Sequence, residues 1–205
     1  MALYEEYEGE NLMKKEMVGI VLAGGQSRRF GSPKAFAERN GIPFYFYSIQ
    51  AMDELVESIV LVTNESLFKQ FRNEKLSVEL TTDHQDFAGL GPLAGIYTAM
   101  EKVEAEWYLI APVDVPFIEK RIFSLLLPYR SNNPDVIVPI AGDRLQPLLS
   151  IFRGTMKDKI KEQLLGKELS IKQLFDKCTV SYVEMKDDLL FTNINSLEEY
   201  NCYLE

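Results

Sequence analysis

The chain has 205 residues, 46% of them hydrophobic and 26% charged, with a net charge of −9. That is enough chain for one domain with a substantial core, and the acidic balance excludes a general nucleic-acid binder, so any basic region must be local. Two cysteines without C-x-x-C spacing and a single histidine, His84, exclude a structural zinc site, and no apolar run approaches the roughly 18 residues of a membrane span. Reduced thiols and a cytoplasmic location are the expectation, with no membrane and no nucleic acid as partner. The acidic N-terminus lacks the apolar stretch of a signal peptide. Residues 1–16 are expected to lie outside the fold, as a disordered or non-native tail with Met13 a candidate natural start, leaving residues 17–205 as a single domain.

Met17 to Leu22 is an unbroken aliphatic run, which predicts a strand buried on both faces. It stops at Ala23-Gly24-Gly25, small residues that let the backbone bend and approach a ligand closely. Arg28, Arg29, Gly31, Pro33 and Lys34 follow. Successive N–H groups in a glycine-rich turn form a concave anion site, and the bases beside it complete a cradle for polyphosphate. This is not a Walker A loop, because Ser32-Pro33-Lys34-Ala35 follows Gly31. Nor is it the Rossmann fingerprint, which Gly24-Gly25-Gln26-Ser27 does not supply.

A helix is predicted over Phe44 to Leu55, and its aromatic start, Phe44-Tyr45-Phe46-Tyr47, reads as core packing rather than a base-stacking platform. Strands follow at Ser58 to Thr63 and Ser77 to Thr82, with a helix from Glu65 to Arg72 between them. This βαβαβ alternation predicts a mostly parallel sheet with right-handed crossovers, in which ligands bind beyond the carboxyl ends of the strands. Gly24, Asn64 and Asp83 fall at such ends, Asn64 in a position that turn chemistry alone would explain. Gly89 to Ala94 formally satisfies G-x-G-x-x-A, but the strand ends too early for a dinucleotide loop, and Pro92 marks the start of a helix running to Val103. His84 is expected to be a loop residue without catalytic duty.

A fourth strand, Trp107 to Ala111, leads into Pro112-Val113-Asp114-Val115-Pro116. A carboxylate held between two prolines at a strand end is a stiffly presented anion, and magnesium favours such oxygens together with phosphates; a helix N-cap is the other use of such an aspartate. In the second half a helix is expected over Glu119 to Leu127. Strands are expected at Asp135 to Ile140 and Pro147 to Phe152, as a β-excursion walling a cleft. Residues 153–177 read as helical, basic and mostly solvated, before a strand at Thr179 to Met185 and a closing helix through Tyr203. Asn193 and Asn195 alternate, so an extended chain points both to one side. A cap at Asn195 or Ser196 with Glu198 and Glu199 behind it is the other account.

Leu22-Ala23-Gly24-Gly25, Ser27, Arg29, Gly31 and Lys34 together resemble the signature L-A-G-G-x-S-x-R-M-G-x-x-K of the nucleotidyltransferases, with Phe30 where methionine is usual. Within that group the chain is most similar to the molybdenum cofactor guanylyltransferases, the MobA-like nucleotidyltransferase family. The resemblance implies an α/β fold, a three-layer Rossmann-like nucleotidyltransferase architecture with a mostly parallel central sheet and a small β-excursion in the second half. It implies transfer of GMP from GTP to the molybdopterin-bound molybdenum cofactor, with pyrophosphate released and Mg²⁺ as cofactor. GTP and the molybdopterin cofactor are then the substrates, and a molybdoenzyme or chaperone a possible partner.

By the same resemblance Asp114 binds the metal, Asp83 contacts the nucleotide, and the backbone from Leu22 through Gly25 meets it. Arg29 and Lys34 offset charge on the α-phosphate and the leaving pyrophosphate. Gly91 to Gly95 borders the substrate cleft, and the F-x-N-x-N-[ST] pattern places Asn193 and Asn195 near the acceptor. An arginine that meets the pterin in the family has no counterpart among Lys167, Lys172 and their neighbours. A cytidylyltransferase, a sugar-1-phosphate nucleotidyltransferase and a non-catalytic nucleotide sensor stay open as alternatives on the same loop chemistry.

Overall fold

The structure, a computed structural model, describes residues 15–25, 27 and 29–204. Its strands are β1 (Lys15–Leu22), β2 (Glu38–Arg39), β3 (Ile42–Pro43), β4 (Ser58–Thr63), β5 (Glu79–Thr82), β6 (Ala105–Pro112), β7 (Val136–Ala141), β8 (Arg144–Leu145), β9 (Ser150–Arg153) and β10 (Val180–Met185). The helices are α1 (Phe44–Gln50), α2 (Glu65–Asn73), α3 (Pro92–Lys102), α4 (Lys120–Leu126), α5 (Met156–Leu165), α6 (Ile171–Phe175) and α7 (Leu197–Leu204).

One main sheet runs in the order β10-β7-β9-β6-β1-β4-β5, with β8 hanging off β7 as a short hairpin. The pairs β1–β4, β1–β6, β4–β5 and β7–β10 are parallel, while β9 runs antiparallel between β6 and β7. The second-half strands therefore complete the central sheet, β8 joining it through β7 alone. Alternation along β1 explains the layering: Val18 and Ile20 enter one apolar layer and Val21 the other. Tyr45, Phe71 and Phe123, from α1, α2 and α4, cover one face; Ile96, Ile160 and Leu174, from α3, α5 and α6, cover the opposite face. A third, small cluster of Phe30, Phe44, Phe117 and Ile194 sits at one end.

Several elements differ from their predicted bounds. β1 begins at Lys15, which pairs with Ala105, so Lys15 and Glu16 belong to the fold and the tail expected over residues 1–16 lies otherwise outside the described residues. The helix predicted to reach Leu55 stops at Gln50; the chain turns there and buries Met52 completely before β4. Residues 153–177 are mostly exposed, as expected, but α5 and α6 also send an apolar stripe of Met156, Ile160, Leu164, Leu174 and Phe175 into the core. The strand expected from Pro147 begins only at Ser150, whose hydroxyl donates to the Pro147 carbonyl at 2.7 Å and holds the preceding residues as a turn. Cys178 and Cys202 are free thiols. Among the described residues no helix is long and apolar enough to cross a membrane.

Candidate functional site

The carboxyl ends of β1, β4, β5 and β6 open into a cleft of about 350 Å³. The parallel ladder continues a step past the strand ends, with Ala23 N–H donating to Val62 O at 2.8 Å and Val113 N–H to Leu22 O at 3.2 Å. This extension sets the Leu22-Ala23-Gly24-Gly25 segment and Asp114 on one rim. Where the ladder stops, side chains take over the orphaned carbonyls. The buried Ser48 hydroxyl donates to Pro112 O at 2.8 Å, and Asn64 Nδ2 donates to Gly24 O at 3.0 Å. Asn64 also caps α2, its Oδ1 accepting from Leu67 N–H at 3.1 Å. Turn chemistry was thus half of its role, and a hold on the glycine loop is the other half.

Lys34 reaches the same rim. Its backbone N–H donates to Ser27 Oγ at 3.1 Å, and Ser27 takes a left-handed φ of 47° to offer it. A non-glycine residue in that region costs on the order of 1–3 kcal/mol, and such strain concentrates at working loops. The Lys34 ammonium donates to Asp114 Oδ2 at 3.2 Å and to Asn195 Oδ1 at 2.7 Å. The pair is partly buried, with side-chain exposures of 13% for Lys34 and 24% for Asp114. Ile194 N–H donates to the Asp114 carbonyl at 2.8 Å, so the segment before α7 grips both partners of the ion pair.

Leu22, Ala23, Gly24, Gly25, Lys34, Asp83 and Asp114 all line the cleft, with residues of the Gly91 to Gly95 stretch across from them. Gly95 is held by close packing. A Cβ there would stand 2.9 Å from a Leu22 methyl, which would have to shift, and in ordinary contact 3.7 Å from Asp83 Oδ1, so glycine lets α3 approach closely at least cost. Asn195 joins through Lys34. Asn193 is exposed and Arg29 is exposed, and neither is among the cleft-lining residues. Arg28 and Gln26 lie outside the described residues. His84 works as a local cap, its Nδ1 accepting from Asp86 N–H at 3.3 Å while its own N–H donates to Thr98 Oγ1 at 2.8 Å.

Asp83 accepts from Gly89 N–H at 3.2 Å and so closes the loop over the cleft. Burial pushes its carboxyl above the ordinary range, and the Gly89 hydrogen bond only partly offsets this. An acid with a raised folded pKa adds stability below its unfolded range and loses that contribution as the pH climbs through the folded value. At neutral pH the charged Asp83 therefore burdens the fold. Asp83→Asn keeps an acceptor for Gly89 without the charge, and is expected to raise the melting temperature at neutral pH. The gain should shrink as the pH falls into the carboxylate range, which thermal melts across pH will check.

Sequence reasoning passed over Arg39. Its guanidinium lies 4.4 Å from the Phe117 ring centroid and 5.3 Å from that of Tyr47, and donates to Pro116 O at 2.8 Å. The β2–β3 hairpin is thereby braced against the loop that carries Asp114. Lysine cannot reproduce the planar stacking and fork. Arg39→Lys is expected to cost about 1–2 kcal/mol of stability and to lower turnover, read by melting and steady-state kinetics on the same preparation.

A glycine-rich turn, a lysine–carboxylate pair and a cleft at the ends of parallel strands define the nucleotide-handling α/β class. Residues 19–180 match the MobA-like NTP transferase domain, and the chain belongs to that family of nucleotidyltransferases. A probable molybdenum cofactor guanylyltransferase from Geobacillus sp. (strain WCH70) is 38% identical over 190 residues, covering 91% of this chain and 97% of the relative. Another from Bacillus anthracis is 40% identical over 187 residues, covering 89% and 92% respectively. The fold is similar to the crystal structure of molybdopterin-guanine dinucleotide biosynthesis protein A from Archaeoglobus fulgidus, with a TM-score of 0.77 at 20% identity over 92% of this chain and 97% of that one.

Proposed function

We propose that this protein transfers GMP from GTP to the molybdopterin-bound molybdenum cofactor, forming the guanine dinucleotide cofactor and releasing pyrophosphate with the help of Mg²⁺. The observation that carries nucleotidyl transfer is the meeting of Lys34 and Asp114 at 3.2 Å on the rim of the glycine-loop cleft. The choice of base and acceptor is supported by relatives 38–40% identical that bear the name of this activity.

Asp114 fits a magnesium ligand. It offers a hard oxygen at the cleft wall, and among the described residues only its Oδ2 is engaged by a side chain, that of Lys34. Among the described residues no group of three or more acidic, histidine or cysteine side chains forms a metal cage. Magnesium commonly takes only one or two protein carboxylates and completes its shell with phosphates and water, so a single aspartate suits it. When bound, the ion neutralises phosphate charge and polarises the α-phosphoryl group.

The chain's own residues position and neutralise. The Leu22 to Gly25 backbone and Asp83 hold the nucleotide, and Lys34 donates to the α-phosphate and the departing pyrophosphate, with Arg29 supplying further positive charge. An oxygen of the acceptor phosphate forms the new bond to the α-phosphorus while the bond to the β-phosphate oxygen breaks. A phosphate monoester has a second pKa of about 6, so the nucleophile is already ionised and no protein base is needed. His84, spent on its local cap, accords with that chemistry. Asn193 and Asn195 stand on the acceptor side. The cytoplasm is the proposed compartment, with a molybdoenzyme or its chaperone receiving the product.

Titration calorimetry tests the nucleotide half of this reading. GTP should bind with Mg²⁺ at least tenfold more tightly than CTP, and the preference should be lost in Asp83→Ala. Tighter binding of CTP than of GTP would move the protein to the cytidylyl branch.

A further inference from the structure

We infer that Glu199 is a positioning residue that sets Lys34 through Asn195, an inference that rests on the reading of Lys34 as a phosphate-facing donor. The segment Asn195-Ser196-Leu197-Glu198-Glu199 opens α7 with a reciprocal cap. Ser196 Oγ accepts from Glu199 N–H at 3.2 Å, and Glu199 Oε2 accepts from Ser196 N–H at 3.1 Å. Those two bonds by themselves complete a capping box. Glu199 Oε2 makes a third, shorter one at 2.5 Å, to the N–H of Asn195, one residue before the cap.

That extra bond serves the cleft. It fixes the backbone of Asn195, whose Oδ1 takes the Lys34 ammonium at 2.7 Å, while Asp114 Oδ2 takes it at 3.2 Å. An ammonium has three donors, so two are committed to the protein and the third is left for a phosphate oxygen. The neighbouring Ile194 is fully buried among Phe30, Phe44 and Phe117, and Tyr200 packs edge-on against Phe30 at 5.8 Å. Phe30 belongs to the glycine-rich loop itself, so the start of α7 and that loop share one small core. Lysine is a flexible point charge with considerable rotamer entropy, and two fixed acceptors remove that freedom before substrate arrives.

The test compares Glu199→Ala, Glu199→Gln, Ser196→Ala, Asn195→Ala and the double Glu199→Ala/Asn195→Ala variant with the wild type. The rate of reductive methylation of Lys34 in the free protein, followed by peptide mass spectrometry, reads its restraint without any reaction. Glu199→Ala should raise it at least about threefold, to the level of Asn195→Ala, with the double variant no faster. Glu199→Gln, which keeps an acceptor of the same reach, and Ser196→Ala, which loses only the cap, should stay near wild type. In GMP transfer, Glu199→Ala should lower kcat about tenfold with KM for GTP nearly unchanged, again without adding to Asn195→Ala.

Equal labelling in Glu199→Ala and Ser196→Ala, or additive effects in the double variant, would overturn the inference and leave Glu199 a helix cap. Wild-type protein with no GMP transfer would instead count against the proposed reaction, and the labelling comparison would still decide the role of Glu199. Should Glu199→Ala not fold, Glu199→Asp, one methylene short of Asn195, takes its place.

Discussion

Asp114→Ala is expected to abolish turnover while leaving the fold in place. The carboxylate is the hard oxygen donor proposed for the metal, and the proposed chemistry needs no other protein group that could replace it. Its side chain is 24% exposed and one of its oxygens pairs only with Lys34, so removing it opens no core cavity. Stability should fall by no more than about 1 kcal/mol, because a partly exposed pair is screened by solvent. Asp114→Asn separates charge from shape: it can still accept from Lys34, but it is a weaker ligand for a hard divalent ion. Both variants should melt near the wild type and fail to release pyrophosphate. Wild-type turnover in Asp114→Ala would remove Asp114 from the metal site and with it the observation that carries the proposed function.

Lys34→Ala is the second large effect. A preorganised donor aimed at developing phosphate charge contributes on the order of 2–4 kcal/mol to the transition state, or roughly 30- to 10³-fold in rate. The loss should appear mainly in kcat if Lys34 strengthens its contact as pyrophosphate departs. Two acceptors, Asp114 Oδ2 and Asn195 Oδ1, are left without their cation in this variant, so a modest drop in melting temperature accompanies the kinetic loss. Lys34→Arg should not rescue fully, because a planar fork cannot sit where a compact ammonium bridges two oxygens. A fall in kcat/KM below about tenfold would demote Lys34 to a surface base.

Most residues of the site that were legible in the sequence share one property: their chemistry is local to a strand end. Leu22 to Gly25, Asp83 and Asp114 each lie at the end of a strand visible in the sequence, and the rule that ligands bind beyond such ends groups them before any coordinates exist. Lys34 was legible from its place in the glycine-rich stretch, although its partners, Asp114 and Asn195, come from distant parts of the chain. What was not legible depends on pairings between distant segments. Nothing in Ser150–Arg153 announces that β9 inserts antiparallel between β6 and β7, because strand order is decided by tertiary packing rather than by periodicity.

Arg39 illustrates the same limit. An isolated arginine in a two-strand hairpin reads as a solvated charge, and only the stacking against Phe117 shows it bracing the Asp114 loop. Asn64 was visible as turn chemistry, and its second hydrogen bond, to Gly24, needed the parallel register of β1 and β4. The alternation of Asn193 and Asn195 predicted a shared direction. The structure buries Ile194 between them, joins Asn195 to Lys34 and leaves Asn193 exposed.

The most direct measurement of the central claim is pyrophosphate release with Mg²⁺ and each of GTP, CTP, ATP and UTP, with and without the molybdopterin cofactor. The account predicts release with GTP alone, and only when the pterin acceptor is present. Release with CTP and the pterin would contradict the guanylyl assignment, and no release with any pair would contradict nucleotidyl transfer to this acceptor altogether.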